Sequence, residues 1–218
     1  MRRFEEEFVI LNDTLLEMGG MVAQSIHRGV LALEERNAEN AYQVMRDEVE
    51  IDELDRRIDS MATTLIALEQ PVASDMRLVV AGIRITTDLE RMGDLAVTIA
   101  KRSMSLMGKP DLRRPIVLTD LAALVESMVL RSLDSFVRRD ATVAREVLAS
   151  DNGVDSMREE IHRQIVEMMR RDPETIERAL DHLIAARSLE RIGDHARNIA
   201  EGVIYLVQGI DVRHRPAA

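Results

Sequence analysis

Carboxylates spaced four residues apart are the side chains in this sequence best suited to chemistry. Four of these pairs occupy related places in the chain: Glu48 with Asp52, Glu90 with Asp94, Asp151 with Asp155, and Glu190 with Asp194. If each pair stands on a helix, its two side chains share one face. Carboxylate oxygens are hard ligands, which favour Fe(III), Mn, Mg or Ca over a metal that prefers thiolates.

The spacing alone leaves two interpretations open. Like charges four apart destabilise a helix by only about 0.2 to 0.5 kcal/mol per pair, so a solvated acidic face balanced by arginines is an ordinary outcome. The Glu-x-x-x-Asp pattern nevertheless recurs one hundred residues apart, with Gly93 before Asp94 and Gly193 before Asp194. This recurrence favours cation sites in which carboxylates from two helices converge.

Other sites have weaker support in the sequence. A ferritin-like di-iron site needs Glu-x-x-His on two helices, and the sequence has this motif once, at Glu159 and His162. His162, His182 and His195 could each accept a phosphoryl group in a helical bundle, although nothing around them distinguishes one. The phosphate-binding loop, the nucleophile elbow and the His-Glu-x-x-His motif do not occur.

Composition and charge exclude several classes of partner and cofactor. The 218 residues carry 39 acidic and 29 basic side chains, a net charge of -10, whereas a nucleic-acid-binding protein needs a positive surface. Aromatic residues make up 2% of the chain, so platforms for stacking bases are missing as well. Without cysteine there are no disulfides, thiolate metal sites or cysteine nucleophiles.

The sequence also predicts where the protein works. Residues 1–7 (MRRFEEE) turn acidic where a signal peptide would turn apolar, and no apolar run approaches the roughly 18 to 20 residues that cross a bilayer. We therefore expect a cytoplasmic protein.

The carboxylates are positioned by a chain whose apolar residues recur every three or four positions, which is typical of helices. Prolines at 71, 110, 115 and 173 punctuate this periodicity. We predict an all-α fold of six helices. Three are expected over residues 5–36, 37–70 and 74–108, with Asn37 as the N-cap of the second, and three more carry apolar stripes over residues 121–136, 147–165 and 180–203.

An internal repeat organises these helices. Residues 89–94 (LERMGD) return as residues 189–194 (LERIGD), and apolar positions upstream match at an offset of 103 residues. The simplest architecture is two tandem antiparallel three-helix bundles from one duplicated ancestor, formed by residues 1–109 and 110–218.

The repeated motifs and the segments around them resemble the PhoU family of regulators of bacterial phosphate uptake. The similar segments are residues 68–77 (LEQPVASDMR), 88–94 (DLERMGD), 189–201 (LERIGDHARNIAE), 202–209 (GVIYLVQG) and 212–214 (VRH). Together with the duplication, the resemblance extends over essentially the whole chain.

The resemblance implies a pair of three-helix bundles with no known enzymatic activity. It implies negative regulation of the phosphate regulon, exerted by connecting the ATPase subunit of the phosphate transporter to a membrane sensor histidine kinase. Through these partners the protein would be peripheral to the membrane, and we expect a homodimer. It also implies multinuclear metal clusters, with Fe or Zn expected first and Mn, Mg or Ca as alternatives. The implied ligands are Glu48, Asp52, Glu90 and Asp94 in the first unit, and Asp151, Asp155, Glu190 and Asp194 in the second.

The second unit departs from the first at two places. Asp151 is followed by Asn152 and Gly153, which favour turns, and a break in the fifth helix there would take Asp151 out of line with Asp155. His195 has Leu95 as its counterpart, so the two units need not bind the same ion. Two alternative functions stay open: a metal-binding bundle that buffers iron, and phosphotransfer through one of the three histidines.

Overall fold

A computed structural model describes residues 2–113 and 116–212, with the side chains of Arg2 and Arg3 left undescribed. Within these ranges the chain forms six α-helices and no strand, which confirms the predicted all-α fold. The helices are α1 (Arg2–Glu35), α2 (Ala38–Glu69), α3 (Ser74–Ser105), α4 (Thr119–Arg138), α5 (Ala141–Arg171) and α6 (Ile176–Gln208), and a short 3₁₀ helix (Pro173–Thr175) precedes α6. Pro115, Arg213 and His214, which the sequence analysis used, lie outside the described residues.

Local sequence signals explain most helix ends. The Asn37 side chain accepts hydrogen bonds from the backbone N–H groups of Glu39 and Asn40, so the predicted N-cap of α2 is confirmed. Gln70, which precedes Pro71, ends α2 in the left-handed region at φ 46°. The prediction that the third helix reaches residue 108 was wrong by three residues, because tight turns bonded to Ser103 and Met104 follow Ser105.

The turn-favouring residues after Asp151 do not break the fifth helix. Helix α5 runs without interruption through Asn152 and Gly153. A Cβ at Gly153 would lie 3.2 Å from Leu124 of α4, so glycine here permits close packing of α5 against α4 rather than a turn. Asp151 and Asp155 therefore share one face of a continuous helix.

The two units pack with equivalent helices side by side. Helices α1, α2 and α3 contact one another, as do α4, α5 and α6, while α3 packs on α6 and α1 packs on α4. Asp88 and Ser105 of α3 meet His195 and Asp181 of α6 respectively, so these helices run antiparallel. Antiparallel packing of equivalent helices is the arrangement that a pseudo-two-fold axis between the two repeats produces.

One hydrophobic core runs through both units. Leu89, Met92 and Ile99 of α3 are fully or almost fully buried, as are Leu189 and Ile192 of α6. The predicted boundary between residues 109 and 110 lies in the connection between α3 and α4. No helix among the described residues is both long enough and apolar enough to cross a membrane.

The connection between the units is fastened to the end of α1. The guanidinium of Arg36 donates to the carbonyl oxygens of Leu106 and Pro110 at 3.0 and 3.1 Å. The carboxylate of Glu34 accepts from the backbone N–H and the hydroxyl of Thr119 at 3.0 and 2.7 Å. Glu34 thus satisfies donors at the start of α4, where Leu118 supplies no side-chain cap.

Candidate metal centres

The repeated glycines set the separation of the helices that carry the carboxylates. A Cβ at Gly93 would lie 3.4 Å from Ile51 of α2, and a Cβ at Gly193 would lie 3.5 Å from Val154 of α5. Both are ordinary van der Waals distances, so the paired helices pack closely at these glycines. The carboxylates of α2 and α3, and those of α5 and α6, are therefore held along two narrow helix–helix grooves.

The first cluster is defined here as Asp52, Asp55, Glu90 and Asp94. Asp52, Asp55 and Glu90, with Thr87 and two arginines, line an open depression of about 410 Å³ between α2 and α3. Partial burial raises the pKa of Glu90, and the negative charges of Asp94, Asp55 and Asp52 raise it further. These carboxylates are thus close enough to repel one another.

The sequence-based set of ligands and the structure differ at two residues of the first unit. Asp55, which that set omits, lines the depression, and burial together with the charges of Asp59 and Asp52 raises its pKa. Glu48, which the set includes, does not line the depression. Asp55 follows Asp52 by three residues, which puts both on the same side of α2, but spacing along one helix gives no measure of the distance to α3.

Arg56 and Arg91 are the cations beside the first cluster. The guanidinium of Arg91 lies 3.3 Å from Glu90 and 3.4 Å from Asp94, and the side chains of Arg91 and Arg56 are 59% and 67% exposed. Because both are so exposed, water and salt screen their interactions strongly. The cluster therefore keeps a net negative charge.

The second cluster is defined as Asp151, Asp155, Glu190 and Asp194. Burial raises the pKa of Asp194, with further contributions from the charges of Asp151 and Glu190. Burial likewise raises the pKa of Asp151, although the nearby guanidinium of Arg197 opposes the shift. These four carboxylates are therefore also near neighbours.

Two arginines contact the second cluster, and the sequence analysis missed both contacts. Arg158 Nε donates to Glu190 Oε1 at 3.1 Å, from α5 to α6. Arg197 Nη1 donates to Asp151 Oδ2 at 3.2 Å, from α6 to α5. The partners are 32 and 46 residues apart along the chain, so no local spacing could reveal them.

The two clusters therefore fit a metal ion unequally. Among residues 2–113 and 116–212, no three carboxylate or imidazole groups stand close enough together to hold one metal ion. A bound ion would have to draw side chains inward. The oxygen donors and net negative charge of the first cluster suit a hard cation, whereas guanidinium groups already occupy carboxylates of the second. The eight-residue ligand set stays a prediction.

The three candidate histidines lie in different surroundings. His182 is buried, its Nδ1 lies 2.9 Å from the carbonyl oxygen of Arg178, and burial lowers its pKa. His195 Nδ1 lies 2.8 Å from Asp88 Oδ1 across the α3–α6 contact. His162 is exposed on α5. His195 and Asp88 are 107 residues apart, so their pairing, too, was beyond the sequence patterns.

Comparison with known proteins covers both units. The family model described as "PhoU domain" matches residues 15–103 and again residues 118–203. A Pseudomonas aeruginosa protein named "Phosphate-specific transport system accessory protein PhoU homolog" is 40% identical over 214 residues, which cover 98% of this chain and 88% of that protein.

Two solved structures share the fold. The crystal structure of PhoU from Pseudomonas aeruginosa has a TM-score of 0.89 and 39% sequence identity. The match covers 95% of this chain and 100% of that one. The phosphate transport system regulatory protein PhoU from Streptococcus pneumoniae has a TM-score of 0.87 and 28% identity, covering 96% of this chain and 99% of that one.

Proposed function

The chain belongs to the PhoU family, and from that premise we propose that it negatively regulates phosphate uptake as a cytoplasmic adaptor. In this proposal it joins the ATPase subunit of a phosphate transporter to a sensor histidine kinase and keeps the kinase from activating the phosphate regulon. The observation that carries the proposal is the likeness to a named accessory protein of phosphate-specific transport over 98% of this chain.

The duplicated architecture supports the role of an adaptor. A protein that joins two others needs two surfaces, and the repeat supplies two related units whose side chains differ. Both units share one core, so a change imposed on one can bias the other through packed helices. Because the chain has a net charge of -10, we expect its associations to weaken as salt increases.

The first cluster would hold the metal in this proposal. Asp52, Asp55, Glu90 and Asp94 are the residues we assign as its ligands, and a hard cation bound there would neutralise their charges and join α2 to α3. Without a cation, the four carboxylates repel one another and loosen the same contact. Metal would therefore stabilise the first unit, whose helices bear part of the adaptor's surface.

A binding experiment tests the adaptor role directly. The full chain, immobilised through its C-terminus, should retain the transporter ATPase and the cytoplasmic part of the sensor kinase from detergent-solubilised membranes of its own organism. Each purified partner should then bind alone with defined stoichiometry, more weakly in 1 M than in 0.1 M salt. If neither purified partner binds, the adaptor role is wrong.

The same protein sample distinguishes the two alternative functions. Iron buffering requires many iron ions per chain and a redox change on loading, so elemental analysis after exposure to Fe(II) and air measures it. Phosphotransfer requires an acid-labile phosphohistidine after incubation with the phosphorylated kinase, and His162 is the exposed candidate for it.

A further inference from the structure

The two acidic clusters differ at two positions that the repeat makes equivalent. Helices α2 and α5 align at an offset of 103 residues, which places Arg158 where the first unit has Asp55. Helices α3 and α6 align at an offset of 100 residues, which places Arg197 where the first unit has Val97. At these two positions the second unit thus has guanidinium groups where the first unit has a carboxylate and a valine side chain.

Both guanidinium groups bridge α5 and α6. Arg158 and Glu190 meet at 3.1 Å with side chains that are each 26% exposed. Arg197 contacts Asp151 at 3.2 Å, and its Nε also donates to Glu201 Oε1 at 3.1 Å, where the Glu201 side chain is only 9% exposed. These contacts are charge-assisted. Arg197 is itself 41% exposed, while its partners Asp151 and Glu201 are only 17% and 9% exposed.

A guanidinium competes with a metal ion for the same oxygens. Arginine stays protonated at every pH at which proteins fold, and its planar donors match carboxylate geometry. A cation entering the second cluster would have to displace Arg158 from Glu190 and Arg197 from Asp151, and would then stand beside two positive charges. In the first cluster Arg91 contacts Glu90 and Asp94 of its own helix, and Arg91 and Arg56 are 59% and 67% exposed, so they present a weaker obstacle to a cation.

We infer that Arg158 and Arg197 take the place of a metal ion in the second cluster, so that α5 and α6 are joined there without metal. This inference rests on the proposed function in one respect, the assignment of the metal to the first cluster. It makes the units different in kind: the first responds to metal supply, and the second does not.

The test uses Mn²⁺ as the probe and the full chain throughout. Glu90→Gln with Asp94→Asn disables the first cluster. In that background, Arg158→Asp with Arg197→Val gives the second cluster the residues that the first unit has at the same positions. Arg163→Asp, an exposed change of the same charge on α5, is the matched control. Bound Mn²⁺ is measured by elemental analysis after dialysis, and the unfolding temperature is measured with and without Mn²⁺.

The inference predicts that disabling the first cluster lowers bound Mn²⁺ at least tenfold. Replacing Arg158 and Arg197 should restore binding and a Mn²⁺-dependent rise in unfolding temperature, while the control at Arg163 should restore neither. If the variant with Asp at position 158 does not fold, Arg158→Gln with Arg197→Val removes the same positive charges without adding a negative one. That variant must then gain Mn²⁺ for the inference to hold.

Two results would overturn the inference. In the first, bound Mn²⁺ remains after the first cluster is disabled and is lost when Asp155→Asn and Asp194→Asn are added. The second cluster would then bind metal despite its arginines. The other is a folded arginine variant that gains no Mn²⁺. Failure of the proposed first site looks different: the wild-type chain would bind no Mn²⁺, while the arginine variant still gained it, which supports the inference on its own.

Discussion

Neutralising equivalent carboxylates in the two clusters should change stability in opposite directions. Glu90→Gln in the first cluster should make the metal-free protein more stable, because Glu90 is surrounded mainly by other carboxylates. Glu190→Gln in the second cluster should make it less stable, because Glu190 accepts a hydrogen bond from Arg158 at 3.1 Å. The two residues are related by the repeat, and their side chains are almost equally exposed: 27% for Glu90 and 26% for Glu190.

The surroundings of Glu90 give the size of the first effect. Its repulsion by Asp94, four residues on, is worth about 0.2 to 0.5 kcal/mol, and Asp55 and Asp52 across the groove add a similar amount together. Losing the exposed contact with Arg91 offsets a few tenths of a kcal/mol. The net gain is about 0.5 kcal/mol, or roughly 1 to 2 °C in unfolding temperature for a chain of this size.

The pH dependence of the Glu90 effect has a defined sign. Since its pKa is raised in the folded protein, the folded state binds more protons than the unfolded state near that pKa, and stability falls as the pH rises through it. The advantage of Glu90→Gln is therefore full near neutral pH and disappears once the pH falls below the usual glutamate range. It should also shrink in 1 M salt, where the Debye length is about 3 Å.

Thermal unfolding followed by circular dichroism, in buffer with a chelator, measures both variants. We expect Glu90→Gln to unfold at a higher temperature than wild type and Glu190→Gln at a lower one, by about 0.5 kcal/mol in each direction. Added Mn²⁺ should then raise the unfolding temperature of wild type above that of Glu90→Gln. Equal shifts of the same sign in chelator would refute the distinction between the clusters.

Three further predictions concern the fold itself. Ala73→Gly should raise the free energy of unfolding by about 1 kcal/mol, because Ala73 has φ 45° and ψ -102°, which glycine adopts with less strain. Ala123→Gly within α4 is the control and should lower the free energy of unfolding by about 1 kcal/mol. Urea titrations that give both variants a change of the same sign would contradict this. Asn37→Ala should lower it by about 1 kcal/mol through loss of the α2 cap, and Asn37→Asp, which keeps the acceptor, should not. Because burial lowers the pKa of His182, stability should fall as the pH drops below the usual histidine range; His182→Gln should reduce that fall and exposed His162→Gln should leave it unchanged in pH-dependent melts.

Patterns within the sequence predicted the helices and the places of the carboxylates because both depend on neighbours along the chain. The prolines, Asn37 and the repeated LER-x-GD motif mark helix ends and helix faces at short range. The pairings Arg158–Glu190, Arg197–Asp151 and Asp88–His195 depend instead on how whole helices dock. A period of 3.6 residues says which face of a helix is buried, but not which helix covers it.

The preference of Asn152 and Gly153 for turns does not interrupt α5, for a related reason. Intrinsic helix propensity disfavours glycine by about 1 kcal/mol relative to alanine, but Gly153 lies against Leu124, where a Cβ would come within 3.2 Å. Close packing against α4 outweighs the local preference. At Ala73 the local sequence also gives no warning, because an alanine is not a sign of the positive φ that this residue adopts.

The central claim, negative regulation of phosphate uptake, is tested most directly by a reporter driven by a phosphate-starvation promoter in phosphate-rich medium. An adaptor shifts the kinase only by its differential affinity for the kinase's two states, and coupling of about 1 to 3 kcal/mol, a 5- to 150-fold change, is sufficient. The reporter should be silent in wild type, active when the gene for this chain is deleted, and silent again when the chain is restored. A reporter that stays silent in the deletion strain would contradict the account.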